Sequence, residues 1–380
     1  MFEEVVGFIR GRYGGRKEIP LHEPCFVGSE KKYVDDCIDS TFVSSVGKYV
    51  NDFEKKLEDF TGAEKAIATS NGTSALHVAL VVAGVQPGTE VLTQALTFVA
   101  TANAISYCGA EPIFLDSDLH RLSLSAEAVS SFLDTNGEVR NDGLCYNKKS
   151  GRRIVACLPM HVFGHPADLL NLKIVCEKFR IKLVEDAAES LGSIYMNKHT
   201  GLIGDIGVLS FNGNKIITTG GGGAVIVKDA ALGARIKHLT TTAKRPHAWE
   251  FYHDEIGYNY RLPNLNAALG CAQMEGLPGF LTNKRQTFEI YKEFFDKKGI
   301  EMVQEPKDSK SNYWLNAILL KDKNERDNFL EITNRNGIMT RPAWTLMTEL
   351  PMYKSKAHDE LKNARSLVSR LVNIPSSVRP

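Results

Sequence analysis

From about residue 60 onward, short apolar runs rich in β-branched residues alternate with runs whose apolar positions recur at helical spacing. Residues 65–68, 90–93, 112–115, 154–158, 182–186 and 224–227 read as strands. The stretches 74–82, 98–107 and 169–179 read as the helices between them. Strands alternating with helices predict repeated βα units on a mostly parallel sheet. Ahead of them, Asn51 is in position to cap a helix with Phe53, Leu57 and Phe60 on one face and Gly62 at its end. A polar turn at 147–151 predicts a surface hairpin or insertion within 141–153. Past residue 250 the pattern changes to long helical runs, 280–298 and 322–336, around one strand at 313–320. We therefore expect two domains, 1–250 large and 251–380 small, with the N-terminal segment free to pack on the small one.

Composition narrows the partners. Lys plus Arg number 46 against 45 for Asp plus Glu, so there is no positive surplus to hold nucleic acid or an anionic membrane. A small-molecule partner is expected. Seven cysteines without a C-x-x-C pair read as reduced core thiols in a cytoplasm. The start Met1-Phe2-Glu3-Glu4 puts acid where a signal peptide needs base, and the most apolar run, 75–85, is interrupted by His77 and too short to span a bilayer. Neither secretion nor membrane insertion is predicted.

Three segments carry chemistry. In Val184-Glu185-Asp186-Ala187-Ala188-Glu189 a carboxylate ends a buried strand, the place where open parallel sheets bind ligands; the alternative is an acid capping the next helix. In Ser210-Phe211-Asn212-Gly213-Asn214-Lys215, followed by glycines 220 to 223, a lysine stands just outside a strand among small residues. It is either a Schiff-base lysine or a solvated loop residue. In Thr69-Ser70-Asn71-Gly72-Thr73-Ser74 a strand turns into a helix, which makes either an anion site of free amides and hydroxyls or a plain cap at Thr73 or Ser74. The glycine run precedes a strand and lacks the G-x-G-x-x-G spacing, so it is not a dinucleotide site. His161 and His165 are separated by Gly164 and followed by Pro166, which breaks any shared helix face. We read them as structural and expect no metal.

Together these segments, with Val43-Ser44-Ser45-Val46-Gly47, Phe53-Glu54, Thr97-Phe98-Val99-Ala100-Thr101-Ala102-Asn103 and Gly257-Tyr258-Asn259-Tyr260-Arg261, resemble the DegT/DnrJ/StrS family of sugar aminotransferases from about residue 21 to the end. Asn71 stands where the family's S-G-T-A-A-L has serine. Gly221 stands where many relatives carry glutamate, and Glu189 where glutamine or histidine is common.

The resemblance implies an α/β protein of fold type I, a pyridoxal phosphate-dependent transferase whose large domain holds a mostly parallel sheet between helices, with a smaller C-terminal α/β domain. It implies Lys215 as the residue that holds the cofactor and moves the proton, Asp186 against the pyridine nitrogen, and Phe98 stacked on the ring. Glu189 falls at the contact to the cofactor's 3-hydroxyl. Gly72, Thr73, Ser74 and Ser210 fall at its phosphate, joined by Asn259 from a neighbouring subunit of a homodimer with shared sites. The closest likeness within the family is to the LegC-type branch. There glutamate gives its amino group to C4 of a nucleotide-linked 4-keto-6-deoxy-N-acetylhexosamine, on a route to legionaminic acid or related bacterial surface sugars. A sugar dehydratase of the same family has histidine in place of the lysine, against which Lys215 argues. A non-catalytic regulator binding cofactor or nucleotide sugar is the alternative from another class, and turnover separates the two. Trp314, Trp344 and Arg341 are candidates for the sugar or the donor carboxylate.

Overall fold

The computed structural model describes residues 2–379. Among them, a seven-stranded sheet runs in the order Lys65–Thr69, Gly223–Val227, Ile206–Ser210, Lys182–Asp186, Ile154–Leu158, Glu90–Gln94, Glu111–Leu115. From Ile206–Ser210 onward every pairing is parallel. Gly223–Val227 is antiparallel to both its neighbours. The central strands are buried along their whole length, as expected of strands covered on both faces, and this is why they read as unbroken apolar runs. The helix Gly72–Val82 is likewise buried over most of its surface, including His77.

Several expectations shift on contact with the structure. The helix Lys48–Thr61 begins a turn earlier than expected, with Gly47 at the cap and Asn51 inside it. The side chain of Asn264, rather than a local capping residue, accepts the Tyr49 amide at 3.0 Å. Gly62 ends the helix in the left-handed region, φ 78°. The polar turn at 147–151 is a hairpin as expected, closed by the Asn147 amide on the Arg152 carbonyl at 2.8 Å and an antiparallel bridge between Tyr146 and Arg153, while a further hairpin with its tip at 140–144 pairs Gly137–Val139 with Cys145–Asn147 just ahead of it. The helical run expected at 280–298 is the second half of a 33-residue helix, Asn264–Asp296. Its first half is masked in the sequence by Gly270, Gly276, Pro278 and Gly279. Gly270 has a tertiary reason: a Cβ there would lie 2.7 Å from the Phe53 ring, where the two helices cross.

A second, antiparallel sheet comprises Glu301–Met302, Asn316–Leu319, Leu371–Ile374 and Arg341–Pro342. The strand expected from 313 starts only at Asn316, because Tyr313 turns through φ +48°. The N-terminal helix Phe2–Arg12 shares one core with Phe288, Tyr291, Ile318 and Phe329. Residues 343–361 strap this part of the chain across the carboxyl ends of the large sheet: Met347 donates its amide to the Ala95 carbonyl at 3.0 Å. The Asp116 carboxylate receives the first amides of the helix Lys362–Arg370, at Asn363 and Ala364.

Candidate active site

A cavity of about 260 Å³ opens at the carboxyl ends of the parallel strands, where this topology places ligands. Asp186, the last residue of Lys182–Asp186, forms part of its wall and is buried. Thr101 Oγ1 donates to Asp186 Oδ2 at 2.7 Å and the Ala188 amide to Oδ1 at 3.2 Å. A second hydroxyl, Thr97, stands 2.7 Å from Thr101. Burial pushes the Asp186 carboxyl above its ordinary value, while the Thr101 and Ala188 bonds pull the other way. A buried carboxylate so arranged favours a cationic partner. The capping alternative is a minor part of this geometry, since one oxygen goes to a hydroxyl on another helix.

Lys215 lies across the cavity, its side chain only 12% exposed. Nζ is 3.2 Å from Glu189 Oε1 and 4.0 Å from the centre of the Trp314 ring. The solvated-loop reading therefore fails for this lysine. Its loop is closed by the Phe211 amide on the Gly222 carbonyl, 2.8 Å, and the Thr219 amide on the Phe211 carbonyl, 3.0 Å. The glycine run serves close approach. A Cβ at Gly222 would fall 2.1 Å from Thr219 Oγ1, and one at Gly223 would fall 2.6 Å from the Asn71 carbonyl. Gly221 meets nothing within 4 Å, so packing does not dictate that position.

At the third segment the cap differs from the expectation. Asn71, not Thr73 or Ser74, caps the helix Gly72–Val82, its Oδ1 accepting the Ser74 amide at 2.7 Å. Gly72 and Thr73, whose amides are among the four a helix start leaves without helical partners, line the cavity together with Ser210. A Cβ on Gly72 would sit 2.9 Å from that of Ser210, so the cradle exists only with glycine there. Ser74 does not join Gly72 and Thr73 in the wall: its amide is taken by Asn71 and its hydroxyl accepts from Ser70 at 3.3 Å. Phe98, about half exposed, lines the mouth with Trp344, ring centres 6.3 Å apart. Asn259 is exposed outside the cavity and its side chain accepts from Arg261 of the same chain. Arg341 is exposed in the second sheet and donates to Asn334. A larger cleft of about 650 Å³, lined by Lys173, Arg180 and Lys228, lies at the opposite, amino ends of Lys182–Asp186 and Ile206–Ser210 and contains none of these groups.

Sequence reasoning missed Thr101 and the pair His161–Glu185. His161 Nδ1 accepts the Ala167 amide, 3.1 Å, so the ring proton is on Nε2 and points at Glu185, 3.0 Å. Glu185 also takes the amides of Gly201, Ile203 and Gly204 at 2.6 to 2.8 Å. His165 is buried against the Ser311 hydroxyl, 2.9 Å. Adjacency of Glu185 to Asp186 was the only local signal for this network.

The cavity fits pyridoxal phosphate on three counts: a cradle of free amides that a Cβ would fill, a buried carboxylate for a ring cation, and an amine inside the same cavity. A family profile described as the DegT/DnrJ/EryC1/StrS aminotransferase family matches residues 24–379. The chain is similar to the GDP-perosamine synthase of Escherichia coli O157:H7, 36% identical over 360 residues that cover 95% of this chain and 93% of that one. It is also similar to the putative pyridoxal phosphate-dependent aminotransferase EpsN of Bacillus subtilis (strain 168), 33% identical, with 89% and 84% covered. Among solved structures, the aminotransferase TlmJ from Streptoalloteichus hindustanus superposes with a TM-score of 0.85 at 26% identity, covering 94% of this chain and 93% of that one.

Proposed function

The chain belongs to the DegT/DnrJ/EryC1/StrS aminotransferase family, and from that premise we propose that it moves an amino group from glutamate to C4 of a nucleotide-linked 4-keto-6-deoxy-N-acetylhexosamine, for bacterial surface sugars of the legionaminic acid type. The coarser part of that statement stands by itself: this is a pyridoxal phosphate-dependent aminotransferase of the nucleotide-sugar kind. No helix among the described residues is long and apolar enough to cross a membrane.

The observation that carries the site assignment is the meeting of Lys215, Asp186 and the Gly72–Thr73–Ser210 cradle in one cavity. Pyridoxal phosphate, when bound, supplies an electron sink for the carbon that exchanges its amino group. In our reading Lys215 would hold it covalently, and its amine, once free, would hold and release a proton at Nζ as general base and acid. Asp186, fixed by Thr101, keeps the ring nitrogen protonated. The Gly72 and Thr73 amides and the Ser210 hydroxyl hold the phosphate through charge-assisted bonds of about 1.5 to 3 kcal/mol each. Phe98 and Trp344 bound the space for the ring and the sugar and exclude water. Asn259 completes the phosphate site of a second copy in a homodimer, in keeping with its exposure outside its own cavity. Residues 1–250 and 251–380 act as two domains.

The likeness to a GDP-perosamine synthase favours a second acceptor, a GDP-linked keto sugar. A panel of UDP-, GDP- and dTDP-linked keto sugars, offered with glutamate and pyridoxal phosphate and read by mass spectrometry, separates the two. Amination of an N-acetylated keto sugar, on whichever carrier, supports our reading, and amination only of a GDP-linked keto sugar without the N-acetyl group replaces it. No product with any member would return the regulator alternative. Hybrid dimers of Lys215→Ala and Asn259→Ala chains test the shared site. Activity above the parental average at limiting cofactor is expected, and no gain despite proven subunit exchange refutes it.

A further inference from the structure

Beyond the contact to the cofactor's 3-hydroxyl that the family resemblance implies for it, Glu189 is held in place by other groups of this chain. Its backbone carbonyl is held by the Asn312 side chain at 2.9 Å, and its Oε2 by the Phe163 amide at 2.9 Å. This leaves Oε1 aimed at Lys215 Nζ, 3.2 Å away. On its other side the same amine sits over the face of Trp314, and that indole is fixed by its own Nε1–H on the Asn214 carbonyl, 2.7 Å. The charged groups facing Glu189 are Lys215 and, across the cavity, Asp186, both of whose oxygens are already engaged.

We propose that Glu189 is the proton partner of Lys215: its Oε1 takes one proton from the ammonium whenever the amine must act as a nucleophile or base, and returns it when the amine is parked. This deepens the reading of Lys215 as the attachment residue and rests on it. The step balances without a co-reactant. An N–H bond of Lys215 breaks, an O–H bond of Glu189 forms, and an ion pair becomes a neutral acid and a neutral amine with a free lone pair for a carbonyl carbon. Burial, with Asp186 adding to it against the opposing pull of Lys215 and the Phe163 amide, pushes the Glu189 carboxyl up to about 7. The exchange thus runs near neutrality, with Trp314 steadying the cationic form from the opposite side.

The test is the rate at which full-length apoprotein captures pyridoxal phosphate between pH 6 and 10.5. It is followed by absorbance and ended with borohydride so that the reduced adduct is mapped by mass. An isolated lysine gains reactivity about tenfold per pH unit up to its pKa near 10.4. Wild-type protein is expected to vary by only a few-fold from pH 7.5 to 10. Glu189→Gln, which keeps the Phe163 contact but takes no proton, should be slower by about tenfold or more at pH 7.5 and approach wild type at pH 10. Glu189→His, which accepts a proton near neutrality, should recover much of the neutral rate. If Glu189→Gln matched wild type at every pH, or lost the same factor at every pH, the proton partnership would be wrong and Glu189 would be a packing residue. Should that variant not fold, a wild-type rate that climbs tenfold per pH unit overturns the proposal equally. An adduct mapped to another lysine would instead fail the attachment reading, whatever the profile.

Discussion

Glu185 and Glu189 stand four positions apart, 0% and 3% exposed, yet their surroundings drive them in opposite directions. Burial works against the charge of both. At Glu185 the His161 bond and the amides of Gly204 and Gly201 more than offset it, and the carboxyl ends below its ordinary value. At Glu189 one amide and one lysine do not suffice, and the carboxyl rises to about 7. The number and geometry of donors, rather than depth, decides whether a buried acid is a fixed charge that organises a loop or a group poised to exchange a proton.

The strongest way to break the comparison is to remove the cation facing Glu189. Lys215→Ala should abolish transamination and leave no borohydride-trapped adduct, and a variant with normal turnover would end the assignment. Next comes Asp186→Asn, which should still bind pyridoxal phosphate while losing turnover by orders of magnitude, since an amide cannot hold the ring proton by charge. Near-normal kcat would return Asp186 to a capping role.

Smaller effects sharpen the contrast through stability. Glu185→Gln presents an NH₂ group to a nest of N–H donors, leaving more than one buried donor unmet at about 1 to 3 kcal/mol each. Urea unfolding near pH 7 should show a loss of about 3 kcal/mol or more. Because the folded carboxyl of Glu185 is depressed below 4.5, its contribution is present above that pH and is lost as the pH falls through the folded value. For Glu189 the sign reverses. Between pH 4.5 and about 7 the folded apoprotein holds a proton that the unfolded chain has released, so this residue makes wild-type stability fall as pH rises across the window. Glu189→Gln removes that slope and should gain on wild type by up to about 3 kcal/mol by pH 7. Parallel stability curves for the two proteins would contradict the raised carboxyl.

Much of this was legible in the sequence where a residue's task is local. The strand ending at Asp186, the cradle before Gly72–Val82 and the glycines preceding Gly223–Val227 announce themselves by spacing, and the family motifs give them roles. Other features depend on residues far away in the chain. Asn264 substitutes for a local cap on the helix Lys48–Thr61. The first half of Asn264–Asp296 was hidden because its glycine at 270 answers to Phe53 rather than to helix propensity. Thr101, His161 and Trp314 carry no signature of their own. They matter through Asp186, Glu185 and Lys215, from which the sequence separates them.

The strand Lys65–Thr69 is the edge of the large sheet and its ladder partner there is Gly223–Val227. On a ribosome, therefore, the first strand of this sheet waits for the last, and the turn at Asn71–Gly72 acquires its wall at Ser210 and Gly223 only when the chain has grown past Val227. Closing that long loop is an entropic cost met late in synthesis. The turn at Asn71–Gly72 is therefore incomplete until Val227 has been made, and a nascent chain shorter than that cannot present its whole wall.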